Sequence, residues 1–161
     1  FGADGPEEDI FRRTDLSRLL ARFHKDKYPL NALDTVALVT ENVTIIRGRA
    51  SEGYPFLEDV PLKMTVISIA SKEPIVEDHD GSKHYTHVGR REMVVRIRVM
   101  LQAVAESKCD AVVLTAFGCG SNHPMEQVAT IFKEEIRKIS SEMPFILFAV
   151  PDGQAEEVFK R

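Results

Sequence analysis

The sequence lacks tryptophan and has only two cysteines, Cys109 and Cys119, among its 161 residues. The two cysteines lack Cys-x-x-Cys spacing and flank a single predicted strand, so we expect no disulfide framework and an intracellular, reducing compartment, cytoplasmic or nuclear. No apolar run approaches the roughly 20 residues of a membrane helix, so no membrane partner is expected. The net charge of −4 provides no basic field, and the sequence gives no direct signal for nucleic acid.

The composition is that of a globular chain with one domain. Hydrophobic residues make up 43% of the sequence and charged residues 29%, both ordinary values for a packed domain. We therefore predict a single domain over residues 1–161. The chain begins at Phe1, and its first six residues are typical of the inside of a loop, so we expect it to be part of a longer polypeptide.

Hydrophobic patterning in the second half predicts an α/β fold. Continuous apolar runs predict buried strands, and amphipathic stretches between them predict helices. The strands are predicted at 64–70, 111–117 and 145–150, and the helices at 90–107 and 124–143. This order is typical of a parallel sheet covered by helices on both faces. The stretch 72–89 is predicted to be a long loop, and 154–161 to begin one more helix.

The first half is predicted to open with a helix from Pro6 to about Phe23. Proline and acidic residues suit the first turn, and Thr14-Asp15 predicts a break at which Asp15 caps a second short helix. Two β-rich runs follow at 36–40 and 43–47. Glu41-Asn42 between them predicts a hairpin or a tight corner.

A glycine turn after the predicted strand 111–117 is the strongest candidate binding feature. Gly118-Cys119-Gly120 leads through Ser121 and Asn122 toward a helix. Glycines let backbone N–H groups approach a phosphate closely, and a helix N-terminus adds partial positive charge. An ordinary tight turn with glycine at positive φ explains the same pattern, so the residues alone leave both interpretations open.

Two adjacent carboxylates, Glu7 and Glu8, follow the first loop. Paired carboxylates can perform acid–base chemistry on a glycosidic bond or orient a sugar hydroxyl. The alternative, which spacing alone favours, is a simple interaction of acids with the positive end of a helix.

Three other groups of residues suggest chemistry, and for each of them a structural role is favoured. Cys119 with His123 suggests a thiol nucleophile and its base, but no orienting Asn or Asp is identifiable. The loop histidines lack a recognised metal-ligand spacing. The arginines of the 90–107 helix suggest a phosphate site, but a solvated helix face fits the negative net charge better. These histidines are His79, His84 and His87, and the arginines are Arg90, Arg91, Arg96 and Arg98.

The motifs, taken in order, resemble the microbial-type poly(ADP-ribose) glycohydrolases, a branch of the macrodomain fold. The most specific piece is Leu114 to Gly120 with Pro124 and Val128-Ala129. Phe1-Gly2-Ala3 with Glu7-Glu8 is similar to the end of the family's catalytic loop. The resemblance covers nearly the whole chain and also includes Tyr28-Pro29-Leu30, Val43 to Arg47, Gly53 to Leu57, Val66 to Ala70, Arg96 to Leu101 and Phe148 to Asp152.

The resemblance implies a three-layer α/β/α macrodomain-like fold and hydrolysis of ribose–ribose O-glycosidic bonds that releases ADP-ribose. Glu8 would be the catalytic acid, and Glu7 would orient the adjacent ribose hydroxyl. The loop from Gly118 through Cys119, Gly120 and Ser121 to Asn122 would hold the ADP-ribose diphosphate. The partner would be ADP-ribose or poly(ADP-ribose), and neither a cofactor nor a metal is implied.

Three departures from the family pattern favour an alternative. The family's amino-terminal strands have no counterpart, so we expect a missing segment or a partner chain to complete the sheet. Pro6 stands where the family has glutamine. The loop after Gly120 is one residue shorter and lacks an aromatic residue. The alternative is a catalytically inactive macrodomain, or pseudoenzyme, that reads ADP-ribose or serves as a structural subunit.

Overall fold

The computed structural model describes residues 5–58, 62–79, 81–118, 122–139, 144–150 and 158–159. Within these ranges the predicted α/β class is confirmed. The elements are α1 (Pro6–Arg13), α2 (Leu16–Phe23), β1 (Ala37–Thr44), β2 (Lys63–Ile69), β3 (Val76–His79), β4 (Ser82–Tyr85), α3 (His87–Glu106), β5 (Ala111–Thr115), α4 (Met125–Lys138) and β6 (Phe145–Ala149), with a 3-10 turn at Ala50–Glu52.

The chain divides into two compact units. The first comprises Phe1–Asn31 and Leu38–Ser68, and the second comprises Ala32–Ala37 and Ile69–Arg161. The described strands pair as β1 with β2, β3 with β4 and β5 with β6. Each unit has its own apolar core, so each is described by itself.

The first unit packs α2 and β1 around a small core of leucines and one valine. The buried residues are Leu16, Leu19, Leu20, Leu38 and Val43. The helix break predicted at Thr14 is confirmed, since α1 ends at Arg13 and α2 begins at Leu16. The Thr14 hydroxyl donates to the Ile10 carbonyl at 2.7 Å and accepts the Leu16 N–H at 3.2 Å. These two bonds satisfy backbone groups at the end of α1 and the start of α2.

Asp15 is the N-cap residue of α2, as predicted, but the expected cap by its side chain is not formed. Its carboxylate makes no cap bond to α2 and instead accepts the Thr44 N–H at 2.8 Å and Arg18 at 2.6 Å. Burial opposes ionisation, but these hydrogen bonds outweigh it and hold the pKa of Asp15 below its ordinary value. Asp15 therefore ties the end of β1 to the start of α2.

The predicted corner at Glu41-Asn42 is also wrong. One strand, β1, runs continuously from Ala37 to Thr44 through both residues. Asn42 adopts a positive φ of 58°, a conformation that asparagine tolerates better than most residues. Glu41-Asn42, which predicted a turn, is thus an irregularity within a continuous strand.

The second unit packs α3 and α4 against the parallel pair β5–β6. Ala111 pairs with Phe145 and Thr115 with Ala149 at the two ends of the register. Leu114 from β5 and the apolar sides of the two helices form the core, in which Phe132 contacts Phe148 edge-to-face with ring centroids 5.3 Å apart. The buried helix residues include Met93, Ile97, Leu101, Val128 and Ile131.

The stretch predicted as a long loop contains an antiparallel hairpin, β3–β4. Its polar strand residues lack the apolar alternation by which strands are identified, so the prediction was wrong there. The hairpin leads directly into α3, where the Thr86 hydroxyl accepts the Gly89 N–H at 3.1 Å as an N-cap.

The prediction that the strand after Ala111 is fully buried is wrong for one of its faces. The helices cover Val112 and Leu114, whereas Val113 on the other face is 63% exposed. Its neighbours on β6, Phe145 and Leu147, are 72% and 53% exposed. An apolar run therefore identified the strand correctly, but one layer of helices buries only alternate side chains.

Candidate functional site

The first candidate site lies at the start of α1, where the two glutamates occupy the first turn behind Pro6. Proline suits this position because its missing N–H would have no helical partner, and the acidic residues suit the positive end of the helix. Glu7 is exposed and Glu8 is half-buried. Phe1, Gly2 and Ala3, predicted as part of the catalytic loop, lie outside the described residues.

Glu7 is held by a tyrosine from the following loop. The Tyr28 hydroxyl donates a short hydrogen bond to Glu7 Oε1. Burial, this hydrogen bond and the negative charges of Glu7 and Glu8 raise the pKa of Tyr28 above its ordinary value. Tyr28 therefore keeps its proton at neutral pH and stays a donor that fixes the orientation of Glu7.

Glu8 has a different environment. A side-chain carbon on Gly5 would lie 2.5 Å from Glu8 Oε2, so the carboxylate lies directly over the bare backbone of that glycine. Within the described part of the chain, Glu8 accepts no hydrogen bond. Of the two carboxylates, Glu8 is thus the one whose oxygens are not already held by a described side chain.

Asp9, the third acid of this turn, is fixed from two sides. It accepts the Tyr54 hydroxyl at 3.1 Å and the Arg13 guanidinium at 3.3 Å. Two tyrosines that are distant in sequence thus tie the start of α1 to separate loops. The acidic pattern was visible in the sequence, but nothing in the sequence indicated that Tyr28 and Tyr54 would bind its members.

The second candidate site is the loop between β5 and α4, for which the structure describes the two ends. Gly118 adopts a φ of +83° and Asn122 a φ of 62°. A side-chain carbon on Gly118 would come within 3.0 Å of His123 Cδ2 and 3.2 Å of Met93 Cε. Glycine is therefore required here by both its conformation and its surroundings. Cys119, Gly120 and Ser121 lie outside the described residues.

His123 is a buried part of this site, with both ring nitrogens in hydrogen bonds. Nε2 lies 3.0 Å from the Lys72 carbonyl oxygen, and Nδ1 lies 2.5 Å from the Tyr85 hydroxyl. Burial lowers the pKa of His123, and nearby Arg96 acts in the same direction, against the raising effects of the Lys72 carbonyl and of Glu73. The ring is therefore neutral at pH 7.

The sequence suggests His123 as a base for Cys119, but in the structure both ring nitrogens form hydrogen bonds with other groups. Because the Lys72 carbonyl only accepts, we assign the proton to Nε2, and Nδ1 then accepts from Tyr85. Tyr85 and the Lys72 carbonyl were not identified from sequence, since they lie 38 and 51 residues away from His123. Only tertiary folding brings them to the loop.

The suggested arginine cluster is dispersed. Arg90 pairs with Glu134 at 2.8 Å and Arg98 with Glu135 at 2.8 Å, which links α3 to α4. The bonds to Arg98 and Lys138 outweigh burial and lower the pKa of Glu135. Arg96 is buried, contrary to the predicted solvated face, and donates to the carbonyls of Ala32, Asp34 and Ala70. None of these three is arranged for a shared phosphate.

Among the loop histidines, the described side chains of His84 and His87 do not form a cluster with other described ligand-type side chains. Across the described residues there is no group of three or more His, Cys, Asp or Glu that could hold a metal ion. His84 Nδ1 lies 3.0 Å from Gln127 Nε2, whose amide oxygen accepts the Tyr85 N–H. In the same part of the chain, no helix has both the length and the apolar content needed to cross a membrane.

Comparisons with known proteins give structural matches only. No family model and no curated protein matches the chain. A crystal structure of poly(ADP-ribose) glycohydrolase from Deinococcus radiodurans in complex with ADP-ribose is 19% identical, with a TM-score of 0.75 over 96% of this chain and 65% of that one. Two further crystal structures of that complex are 22% identical, with TM-scores of 0.71 over 98% and 99% of this chain.

These matches confirm the predicted fold class. The chain spans about two thirds of the length of the glycohydrolase structures, 65% to 67% of each. At such identities the similarity concerns the course of the backbone and assigns no residue a role. The chain therefore has an α/β fold of the microbial poly(ADP-ribose) glycohydrolase type.

Proposed function

We propose that this chain binds ADP-ribose and belongs to a protein that hydrolyses the ribose–ribose O-glycosidic bonds of poly(ADP-ribose). The observation that carries the proposal is the different environment of the two glutamates. Tyr28 holds Glu7, whereas Glu8 accepts no hydrogen bond from any residue described. The structural likeness to glycohydrolases bound to ADP-ribose supports the substrate class.

In this proposal Glu8 is the catalytic acid. It donates its proton to the bridging oxygen as the glycosidic bond breaks through an oxocarbenium-like transition state. Water then adds to the ribose carbon and returns a proton to the Glu8 carboxylate. Glu7, oriented by Tyr28, accepts a hydrogen bond from the adjacent ribose hydroxyl. The loop Gly118–Asn122 holds the diphosphate through backbone N–H groups.

The test of the catalytic role is Glu8→Gln in the protein, assayed by release of ADP-ribose from the polymer. The amide cannot donate the required proton, so we expect turnover to fall about a hundredfold to ten-thousandfold while ADP-ribose still binds. Glu52→Gln, an exposed position on the 3-10 turn, is the matched control and should keep full activity. Full turnover by Glu8→Gln would remove the mechanism.

A second candidate is an ADP-ribose reader without catalysis. It is favoured by Pro6, which occupies the first position of α1 directly before the two glutamates. A reader binds ADP-ribose and releases none from the polymer, in either the wild type or Glu8→Gln. The same pair of measurements thus distinguishes the two functions.

We also propose that further polypeptide, from the same protein or a partner chain, completes the sheet and covers the apolar face of β5–β6. Parallel strands are normally covered on both faces, and this one exposes Val113, Phe145 and Leu147. In the intact protein, hydroxyl-radical footprinting should find Phe145 and Leu147 protected. Phe23, which is 61% exposed in the first unit, is the reactive control. High reactivity at Phe145 and Leu147 would contradict the covering layer.

We propose that residues 1–161 form one functional domain and that the protein is intracellular. Nearly full coverage by a single type of solved structure supports the single domain. A single cooperative thermal unfolding transition is expected at pH 7, and two separate transitions there would contradict the single domain. The described free thiol, Cys109, is compatible with a reducing compartment.

A further inference from the structure

We propose that His123 is a positioning residue of the loop that starts at Gly118, and that the loop binds its diphosphate ligand only while the His123 ring is neutral. This inference rests on the proposed function for its ligand. Its structural basis is a set of contacts within the second unit that links both ends of the loop.

The ring of His123 is packed against the first residue of the loop. The space that a side chain on Gly118 would occupy is bounded by His123 Cδ2 at 3.0 Å, His123 Cγ at 3.2 Å and Met93 Cε at 3.2 Å. If the ring turned or withdrew, the space beside Gly118, whose φ is +83°, would open. The position of the ring therefore bears on the course of the loop at Gly118.

The same ring is coupled to the start of α4 at the other end of the loop. Tyr85 binds His123 Nδ1 through its hydroxyl, and its backbone N–H donates to Gln127 Oε1 at 2.9 Å. Gln127 lies in the first turns of α4. Tyr85 thus connects β4, His123 and the helix start.

This arrangement requires a neutral imidazole. With the proton on Nε2 directed to the Lys72 carbonyl, Nδ1 accepts from the Tyr85 hydroxyl. A second proton would turn Nδ1 into a donor that faces another donor, so the hydroxyl would have to redirect its own proton inside the core. His123 is 8% exposed and Tyr85 is 7% exposed, so a charged imidazolium ring at this buried position would be costly.

The charged groups around the ring come from two segments. Lys72 and Glu73 follow β2, and Lys72 is paired with Glu92 of α3 at 2.9 Å. Arg96 of α3 disfavours a second proton on His123, whereas Glu73 favours it. From β4 and α4 the facing groups are Tyr85 and Gln127, with His84 beyond Gln127. Burial outweighs the attraction of Glu73, so the neutral form prevails.

The His123 ring is enclosed within the second unit, and both of its nitrogens already form hydrogen bonds. His123, Tyr85, Glu92 and Arg96 line a cavity of about 10 Å³. That volume is room for about one water molecule and for no part of a nucleotide. His123 therefore acts through the loop and not by contact with the ligand.

The experiment measures ADP-ribose affinity by calorimetry from pH 8 to pH 5, together with NMR titration of the His123 ring. The diphosphate of ADP-ribose is esterified at both ends and keeps its charge in this range. We expect wild-type affinity to fall as His123 titrates, approaching about tenfold per pH unit below its pKa. His123→Phe keeps a ring against Gly118 and should give a flat pH profile.

Two further variants separate positioning from general damage. Tyr85→Phe removes the hydroxyl that stabilises the neutral ring, so the loss of affinity should begin at a higher pH. His87→Gln, at an exposed position of α3, should keep the wild-type profile. If His123→Phe does not fold, the shifted profile of Tyr85→Phe carries the test. A pH step that persists in His123→Phe, or a flat wild-type profile while His123 titrates, would overturn the inference.

Failure of the inference and failure of the proposed function are distinguishable. If no variant binds ADP-ribose at any pH, the proposed function fails. The amide signals of Gly118 and Asn122 should still shift with the titration of His123, because the ring contacts the loop whether or not a ligand binds. Amide signals that stay constant while His123 titrates would overturn the positioning role itself.

Discussion

The two compact units hold their candidate functional residues in opposite ways. In the first unit, the carboxylates of α1 are at least partly accessible, and the hydroxyls of Tyr28 and Tyr54 orient two of them. In the second unit, a buried neutral His123 bonds to Tyr85 and lies within 3.0 Å of where a side-chain carbon on Gly118 would be. Accessible charges can therefore bind a ligand at little cost to stability. The buried neutral pair of His123 and Tyr85, in contrast, is costly to disturb.

The largest expected effect contrasts two glycines with nearly the same backbone conformation. Gly53 in the first unit has φ +78° with no atom within 4 Å of an added side chain, whereas Gly118 has φ +83° against His123. Gly53→Ala should cost about 1–2 kcal/mol for its conformation alone. Gly118→Ala should lose about 1–3 kcal/mol more through overpacking. Urea unfolding measures both changes, and equal losses would break the contrast.

As the pH falls, the second unit is expected to lose stability before the first unit does. Burial holds the folded pKa of His123 below its ordinary 6.5, so its stabilisation is complete above that value and is lost as pH falls toward the folded pKa. In the first unit, the lowered pKa of Asp15 makes its contribution complete above 3.8 and lost only below that. Each unit of pKa difference corresponds to about 1.4 kcal/mol.

Hydrogen-exchange protection factors measure this order. As the pH falls below about 6.5, amides around Tyr85 and Gln127 should lose protection while those of α2 and β1 keep it. His123→Phe should remove the early loss. A simultaneous loss in both units over this range would contradict the assignment of the first acid-sensitive group to His123.

The smallest effects are expected at surface ion pairs, where the two units should not differ. Arg18 pairs with Asp15 at 2.6 Å in the first unit, and Arg90 pairs with Glu134 at 2.8 Å in the second. Arg18→Gln and Arg90→Gln should each cost less than about 1 kcal/mol, and both losses should shrink in high salt. Thermal unfolding at two salt concentrations measures both losses of stability. A loss of several kcal/mol at either site would contradict the expectation that these surface ion pairs contribute little.

Much of the fold could be predicted from local patterns. The helices α1 to α4 and the strands β2, β5 and β6 follow from apolar periodicity, and the break at Thr14 follows from its polar side chain. The hairpin β3–β4 could not be predicted because its strands are polar. The continuity of β1 could not be predicted because asparagine is typical of turns, and Asn42 lies in the middle of the strand. The roles of the site residues Glu7, Glu8 and Gly118 through Asn122 stay predictions.

The sequence by itself determined the four helices, the strands β2, β5 and β6, the glycine at Gly118 and the acidic start of α1. Periodicity, backbone conformation and helix-end electrostatics act over only a few residues. Only the tertiary structure decided that Tyr28 binds Glu7, that Arg96 is buried among carbonyls and that His123 is locked between Tyr85 and Lys72. These partners are 21 to 64 residues apart, and no short-range rule relates them. Packing brings them together, and burial then sets their protonation.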